Sequence, residues 1–288
     1  MKICAMTMVY RDYWALSQWY AHFGRHLGHE NLFIVAHGPD PEIQRRCPLA
    51  SIITIPREKF DNFDNSRSKM LNAFQNGLDE IYDWVIRTDA DELICLDHSL
   101  YESFEDFFAQ QEGKSAFSLG INLAEIEGDA PLPHDTPVLK LRRHALFSSH
   151  YSKAWAVRGR IGLHRHGVQV RPRFCEDYPF HIPRGVYLIH LKFANGLALA
   201  LANKHRHAVA NSEGKGLPGQ SWRDPDVSIQ RISKQLDNSK LLPWARAEDR
   251  AYEIISQEPI RDLKKGIVRV CDRPIRIQTT LPEWFQSA

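Results

Sequence analysis

Three carboxylates fall within four residues in the segment Asp89-Ala90-Asp91-Glu92, directly after the apolar run Trp84-Val85-Ile86. The apolar run is typical of a buried strand, and in an extended backbone alternate side chains share a face. Asp89 and Asp91 can therefore point at one spot, where two carboxylates without a cation repel each other. Mg²⁺ or Mn²⁺ removes that cost, and proteins hold such ions with one or two carboxylates and substrate phosphates. The alternative at this point is an acidic turn that caps the next helix.

The first ninety residues, which lead to this segment, alternate between strand and helix patterns. Strands are predicted at residues 2–9, 32–36 and 51–55 and in the run before Asp89. Such an alternation predicts a mainly parallel sheet flanked by helices. Ligands of such sheets bind outside the carboxyl ends of the strands. Asp89 and Asp91 follow one of those ends, which favours a binding site over an acidic turn.

The second half of the chain predicts further strands and a helical end. Strand patterns occur at residues 115–123, 138–147, 153–163 and 186–191, and helical patterns at 100–110 and 194–210. Residues 211–288 are mostly helical in pattern, with a short strand near residues 266–271. We therefore expect an α/β domain over residues 1–210 and a mostly helical C-terminal extension, residues 211–288, packed on the same domain.

Composition limits the possible classes of protein. The chain has 288 residues, of which 43% are hydrophobic and 25% charged, as in ordinary globular proteins. A net charge of +2 gives no basis for nucleic-acid binding, which normally requires a dominant basic surface. The apolar stretches are too short to predict a transmembrane segment, whereas peripheral membrane association stays compatible with the sequence. Five cysteines without paired spacing predict reduced thiols and a cytoplasmic location.

Four groups of residues among the first 190 form a larger pattern. They are Thr7-Met8-Val9-Tyr10-Arg11-Asp12 with Trp19, Tyr20 and His22; residues 31–40; Ser66-Arg67-Ser68-Lys69-Met70-Leu71-Asn72-Ala73 with Tyr82-Asp83-Trp84-Val85-Ile86 and the acidic segment; and Gly162-Leu163-His164 with Leu188-Ile189-His190-Leu191-Lys192. Together they resemble glycosyltransferases of the GT-A fold, near the family 2 and family 92-like branch. The resemblance implies a Rossmann-like fold and ends near residue 200.

The resemblance also implies a metal-dependent reaction. A sugar would move from a nucleoside-diphosphate sugar to a glycan or lipid-linked acceptor, and Mn²⁺ or Mg²⁺ would neutralise charge on the leaving diphosphate. By position, Asp91 would bind the metal directly, and Asp89 would face the ribose or a metal-bound water. His190, at the end of a later strand, would complete the metal site. The alternative for His190 is an ordinary core histidine.

The resemblance extends to contacts with the nucleotide-sugar. Arg67 and Lys69 begin a predicted helix, where two cations and a helix N-terminus favour an anion. The full set of predicted donor-binding residues is Thr7, Val9, Tyr10, Asp40, Arg67, Lys69, Asp89 and Ala90. The chain departs from the family pattern at Arg11-Asp12 and at Ala36-His37, and both differences leave the identity of the donor open.

A base must accept the proton of the acceptor hydroxyl in an inverting reaction. Asp177, in the sequence Cys175-Glu176-Asp177, lies where the resemblance implies a Glu-Asp base. His164 is the second predicted catalytic residue, and Glu125 is a further alternative.

Three other classes of protein stay open. Nucleotidyltransferases also use acidic residues and a related sheet, but they usually have a glycine-rich loop after the first strand, and residues 8–13 contain no glycine. A zinc-dependent hydrolase would draw its ligands from His144, His150, His164, His166, His181 and His190, although no His-Glu-x-x-His motif occurs. The third class is a non-catalytic relative that binds glycans.

Overall fold

A computed structural model describes residues 1–58, 60–133, 135–164 and 166–288. The strands are β1 (Ile3–Val9), β2 (Leu32–His37), β3 (Ser51–Ile55), β4 (Trp84–Arg87), β5 (Glu92–Leu96), β6 (Ser115–Phe117), β7 (Leu119–Ala124), β8 (His144–Phe147), β9 (Ala154–Val157), β10 (Gly162–His164), β11 (Gly167–Gln169), β12 (Val186–Phe193), β13 (Lys240–Leu241), β14 (Ile260–Asp262), β15 (Ile267–Arg269) and β16 (Ile277–Thr280). The helices are α1 (Tyr13–Leu27), α2 (Pro41–Arg46), α3 (Phe63–Leu78), α4 (Phe104–Ala109), α5 (Val138–Leu141), α6 (Gly196–Ala210), α7 (Gln220–Arg223), α8 (Pro225–Asn238) and α9 (Trp244–Ile255), with 3₁₀ turns at His29–Asn31, Pro172–Phe174 and Glu283–Gln286.

The first sheet has the order β3-β2-β1-β4-β9-β6. Its first four strands are parallel, β9 is antiparallel to β4, and β6 is antiparallel to β9. All seven residues of β1 are buried, because neighbouring strands lie on both sides and both faces of the sheet are covered. The prediction of a mixed, mainly parallel α/β sheet flanked by helices is confirmed.

The second sheet has the order β13-β16-β8-β7-β12-β5. Strand β5 begins at Glu92, immediately after the acidic segment, and pairs antiparallel with β12, where His190 lies opposite Glu92. The chain therefore leaves the first sheet at the end of β4 and enters the second sheet at β5. The acidic segment is the crossing point between the two sheets.

Residues 211–288 contain more strand than the sequence predicts. Helices α7, α8 and α9 agree with the predicted helical character, and β15 is the predicted short strand. However, β13 and β16 extend the second sheet, and β14 and β15 join β10 and β11 in a small antiparallel sheet. These strands have two to four residues each, too few for an alternating pattern to be detected. Residues 138–141 likewise form one helical turn, α5, where the sequence predicts strand.

Aromatic packing fixes the strand that carries the acidic segment. Trp84 of β4 stacks on Phe108 with ring centroids 4.4 Å apart, and Phe107 stacks on Trp155 of β9 at 5.6 Å. All four rings are buried. The five cysteines are also buried, and none of them forms a disulfide.

No helix of the described residues is long and apolar enough to cross a bilayer.

Candidate functional site

The acidic segment borders a cavity of about 810 Å³ at the carboxyl ends of β1 and β4. Helix α1 anchors the segment, because Nε1 of Trp19 donates a buried hydrogen bond of 2.9 Å to Oγ1 of Thr88. The backbone N–H of Asp89 donates to Oε2 of Glu92 at 3.0 Å. These contacts hold the turn so that Asp89 and Asp91 both line the cavity.

Glu92 belongs to a buried ion pair beneath the cavity. Its side chain is 1% exposed, and its Oε1 lies 2.7 Å from Nζ of Lys153. Burial raises the pKa of Glu92, and the adjacent ammonium group opposes that rise. Glu92 therefore supports the turn, and Lys153 adds positive charge to the cavity wall.

Asp89 is paired with Arg67 of α3. Its side chain is 43% exposed and opens into the cavity. Enclosure raises the pKa of Asp89, but Arg67 and Lys153 outweigh that effect and hold the pKa well below its usual range. Asp89 is thus an anion that already has a cationic partner.

Asp91 faces a histidine and an arginine. Its Oδ2 lies 3.5 Å from Nε2 of His190 and 3.3 Å from a terminal nitrogen of Arg206 on α6. Burial raises the pKa of Asp91, whereas His190 and Arg206 lower it, and the result is about 2. On the other side of the ring, Nδ1 of His190 lies 2.8 Å from Oδ1 of Asn122. Tyr151 stacks on the same imidazole at 3.7 Å and fixes its plane.

The cavity wall has an excess of cations. Six arginine and lysine residues line it, against four aspartates, among the residues that the structure describes. The cations are Arg57, Arg67, Arg87, Lys153, Lys192 and Arg206, and the aspartates are Asp12, Asp64, Asp89 and Asp91. Burial and the nearby Arg206 lower the pKa of Lys192 to about 8. Such a cavity favours an anionic ligand over a cationic or neutral one.

An aromatic and basic group closes the end of the cavity near β1 and β2. The guanidinium of Arg57 lies 3.4 Å above the ring of Tyr10 and 2.8 Å from Nδ1 of His37. His37 in turn stacks on Phe63 at 5.7 Å. Burial, followed by the charge of Arg57, lowers the pKa of His37 to about 4. Flat rings beside a guanidinium are suited to stacking on a planar ligand.

The structure brings eight of the predicted site residues to this cavity. They are Val9, Tyr10, Arg67, Asp89, Ala90, Asp91, His164 and His190. His164 enters from β10, and its Nδ1 lies 2.9 Å from Oγ of Ser68 on α3.

Four predicted residues lie outside the cavity lining. Thr7 is completely buried inside β1, and Lys69 is exposed on α3. Asp40 accepts hydrogen bonds from Tyr13 and from the backbone of Glu42, where it caps α2. Asp177 is exposed in the segment after the 3₁₀ turn Pro172–Phe174. The prediction that Asp177 is the base therefore has no support from its position, because sequence spacing alone did not fix where this loop lies.

Lys153, Arg206 and Arg57 are the cavity residues that sequence reasoning missed. Lys153 had one detectable signal, since a charged residue directly precedes the apolar run Ala154-Trp155-Ala156-Val157. Nothing in the sequence distinguished Arg206, because it lies in a helix with several other basic residues and far from Asp91 in sequence.

Among the described residues, no group of three or more histidine, cysteine, aspartate and glutamate side chains is arranged to hold a metal ion. The pair of Asp91 and His190 is the part of the predicted metal site that the geometry brings into contact. The zinc hydrolase alternative requires three protein ligands and gains no support from this arrangement.

No protein-family model and no curated protein matches this chain. Similar solved structures include a 4-diphosphocytidyl-2C-methyl-D-erythritol synthase, with 13% identity over 46% of this chain and 65% of that chain at a TM-score of 0.29. A cytidylyltransferase from Leptospira borgpetersenii serovar Hardjo-bovis has 12% identity over 42% and 54% of the two chains, with a TM-score of 0.28. A CMP:2-keto-3-deoxy-manno-octonic acid synthetase complexed with CTP has 11% identity over 82% and 99%, with a TM-score of 0.32.

This chain thus spans 65% and 54% of the length of the first two structures. The three names describe cytidylyl or CMP chemistry of those proteins. Similarities at these TM-scores carry no argument about the reaction of this chain.

Proposed function

We propose that this chain is a metal-dependent enzyme of nucleotide-sugars, and more specifically a glycosyltransferase that moves the sugar to a glycan or lipid-linked acceptor. The observation that carries the proposal is the contact between Asp91 and His190 in a cation-rich cavity at the carboxyl end of β4.

The donor atoms of this pair suit Mn²⁺ or Mg²⁺. Burial lowers the pKa of His190, which favours the neutral ring. With Nδ1–H donating to Asn122, release of the Nε2 proton would leave the lone pair of Nε2 facing the Asp91 carboxylate. Two electron-rich atoms directed at each other favour a cation between them. Asp91 and His190 would therefore hold the metal, while Asp89 would contribute through water or the ribose. When bound, the metal would supply charge neutralisation for the leaving diphosphate.

The remaining cations fit the same role. Arg67 and Arg206 each contact one of the two aspartates, and Lys153 and Lys192 line the wall nearby. A diphosphate beside the acidic segment would be within reach of hydrogen bonds from these groups, and charge-assisted hydrogen bonds of this kind are strong. The rings of Tyr10, His37 and Phe63 would then receive the nucleoside base.

Calorimetry with uridine, guanosine and cytidine diphosphates in the presence of Mn²⁺ tests the proposal. We expect wild-type protein to bind at least one of them, and Asp91→Ala to weaken that binding at least tenfold. Asp237→Ala is the matched control, because Asp237 is exposed on α8 and lies outside the cavity lining. Unchanged nucleotide binding in Asp91→Ala, with an unchanged circular dichroism spectrum, would contradict the metal assignment.

Nucleotidyl transfer is the second candidate, and product analysis separates it from glycosyl transfer. A glycosyltransferase releases a nucleoside diphosphate from a nucleotide-sugar. When no acceptor is present, it hydrolyses the nucleotide-sugar slowly, because water takes the place of the acceptor. A nucleotidyltransferase transfers the nucleotidyl group of a nucleoside triphosphate to a sugar phosphate, and pyrophosphate is the leaving group. The segment between β1 and α1 contains no glycine, which favours the first reaction. Pyrophosphate release that depends on Asp91 would favour the second.

A further inference from the structure

Two smaller spaces adjoin the main cavity in succession. A second cavity of about 240 Å³ shares His150 and His166 with the main cavity. A groove of about 780 Å³ then shares Ser149, His150 and Asp272 with the second cavity. The shared residues place the three spaces side by side, as a path of adjoining spaces from the acidic segment to a groove beside α8. We call this groove the α8 groove.

His166 stands at the junction between the main and second cavities. It lies in the turn from β10 to β11 with φ of 66°, in the left-handed region that asparagine, aspartate and histidine adopt more often than other non-glycine residues. Its ring packs on His150 with centroids 4.1 Å apart. Nδ1 of His166 is buried and has no hydrogen-bond partner among the described residues. A buried, unpaired nitrogen at such a junction is costly, and a bound ligand with a hydroxyl group would relieve that cost.

The α8 groove carries uncompensated positive charge. Arg231 and Lys234 lie one turn apart on α8, and Arg276, which directly precedes β16, lines the same groove. None of the three forms an ion pair within the described parts of the chain, and all three are exposed. Asp272 is the acidic residue of the groove, and both of its oxygens already accept hydrogen bonds from Arg269.

The rest of the groove lining combines uncharged polar side chains with the apolar residues Phe147, Val227, Pro274 and Ile275. It includes Ser148, Ser149, Gln230, Gln235, Asn238 and Ser239. The polar side chains offer hydrogen-bond donors and acceptors that suit sugar hydroxyls, and the apolar ones can pack against the faces of sugar rings.

We propose that this path binds the acceptor of the transferase, and that the acceptor is a saccharide with an acidic group, either a carboxylate or a phosphate. The acidic group would lie against Arg231, Lys234 and Arg276. The hydroxyl that receives the sugar would lie beside His166, next to the acidic segment. This inference rests on the proposed function and specifies the substrate class of the same site.

The test uses the full chain with Mn²⁺ and the nucleoside diphosphate that it binds best. The probes are immobilised oligosaccharides ending in glucuronate, galacturonate or mannose 6-phosphate, each beside its neutral counterpart. We expect retention of acidic over neutral probes and a decrease with added NaCl. The variant Arg231→Gln/Lys234→Gln should lose at least tenfold in retention. Arg250→Gln/Lys264→Gln removes two exposed charges outside the path and should bind as wild type.

The outcomes separate the two proposals. If wild type binds nucleoside diphosphate with Mn²⁺ but retains no acidic probe, the groove proposal is wrong and the proposed function stands. Equal retention of acidic and neutral probes also overturns the groove proposal, as does unchanged retention by Arg231→Gln/Lys234→Gln. If acidic probes are retained through Arg231 and Lys234 while no nucleoside diphosphate binds, the proposed function fails. Nucleoside diphosphate binding should be the same in Arg231→Gln/Lys234→Gln as in wild type, which shows that the variant is folded.

Discussion

Nδ1 of His190 lies 2.8 Å from Oδ1 of Asn122, while Nε2 of the same ring lies 3.5 Å from the Asp91 carboxylate. Asn122 belongs to β7 and His190 to β12, and the two residues are direct neighbours in the parallel pairing of these strands. The sheet itself therefore sets the orientation of the imidazole. A side chain that never touches the metal would decide which nitrogen is available to it.

Asn122→Leu should weaken Mn²⁺ binding by about 10- to 100-fold, the usual cost of removing a group that orients a metal ligand. Without the amide oxygen, the ring loses the hydrogen bond that fixes its tautomer. Asn122→Asp keeps an acceptor oxygen and should retain most of the affinity. Electron paramagnetic resonance of free Mn²⁺, measured in the presence of nucleoside diphosphate, checks both variants. Equal affinities for Asn122→Leu and wild type would exclude the orienting role.

Thr88→Val should lower the free energy of unfolding by about 1–3 kcal/mol, because it leaves Nε1 of the completely buried Trp19 without an acceptor. Valine has nearly the same volume as threonine, so that the loss reports on the hydrogen bond. Thr88→Ser keeps the hydroxyl and serves as the control. Urea denaturation followed by tryptophan fluorescence gives both values. The proposed role of the bond in holding the acidic segment would fail if nucleotide binding were identical in Thr88→Val and wild type.

His22 should make the protein less stable in acid. Burial lowers its pKa from 6.5 to about 3 in the folded state, and one ring nitrogen hydrogen-bonds to the carbonyl of Ile94. Between pH 3 and 6.5 the unfolded chain then binds a proton that the folded chain does not. The contribution to stability is present above pH 6.5 and is lost as the pH falls, by up to about 1.4 kcal/mol per pH unit.

The variant His22→Gln isolates this effect from other titrating groups. Glutamine can still donate to the carbonyl of Ile94 but does not titrate, so the unfolding free energy should fall less steeply between pH 6.5 and 4.5 than in wild type. His207→Gln, which changes an exposed histidine of α6, should leave the slope unchanged. Parallel slopes for His22→Gln and wild type would contradict the assignment.

The sequence was most informative where structure is local. The continuous apolar runs of β1, β2 and β4 predict buried parallel strands, because such strands lie between neighbours and are covered on both faces. Asp89 and Asp91 belong to one turn after such a strand. Because they are two residues apart, their side chains were expected to face the same cavity. His190 was predictable as a strand-end residue, although its contact with Asn122 depends on the register of β7 and β12.

The missed and misplaced residues depend on distant parts of the chain. Lys153 reaches Glu92 because β9 joins the first sheet, and Arg206 reaches Asp91 only after α6 folds back over the cavity. Asp177 was assigned from its distance along the chain, but irregular loops between sheets do not conserve such distances in space. The strands β13 to β16 are short, and their positions depend on the pairing of β15 with β11 and of β16 with β8, which are distant in sequence.

Replacement of Arg206 should change the affinities for Mn²⁺ and for nucleoside diphosphate in opposite directions. Its guanidinium lies 3.3 Å from Oδ2 of Asp91 and 4.0 Å from Oδ2 of Asp12. Arg206 therefore neutralises carboxylates that would otherwise attract a metal ion. Arg206→Gln should therefore tighten the binding of Mn²⁺ alone. The same variant should weaken nucleoside diphosphate binding in the presence of Mn²⁺ by about tenfold, or about 1.4 kcal/mol, because a charged donor to the phosphates is lost.

Calorimetry of Mn²⁺ alone, and of nucleoside diphosphate at saturating Mn²⁺, measures the two effects separately. Arg206→Lys restores a positive charge and should recover part of the nucleotide affinity, although one ammonium group cannot replace the paired donors of a guanidinium. If Arg206→Gln weakened both ligands equally, Arg206 would only hold α6 in place. A change in opposite directions would instead mean that Arg206 moves from Asp91 to the diphosphate when the metal binds.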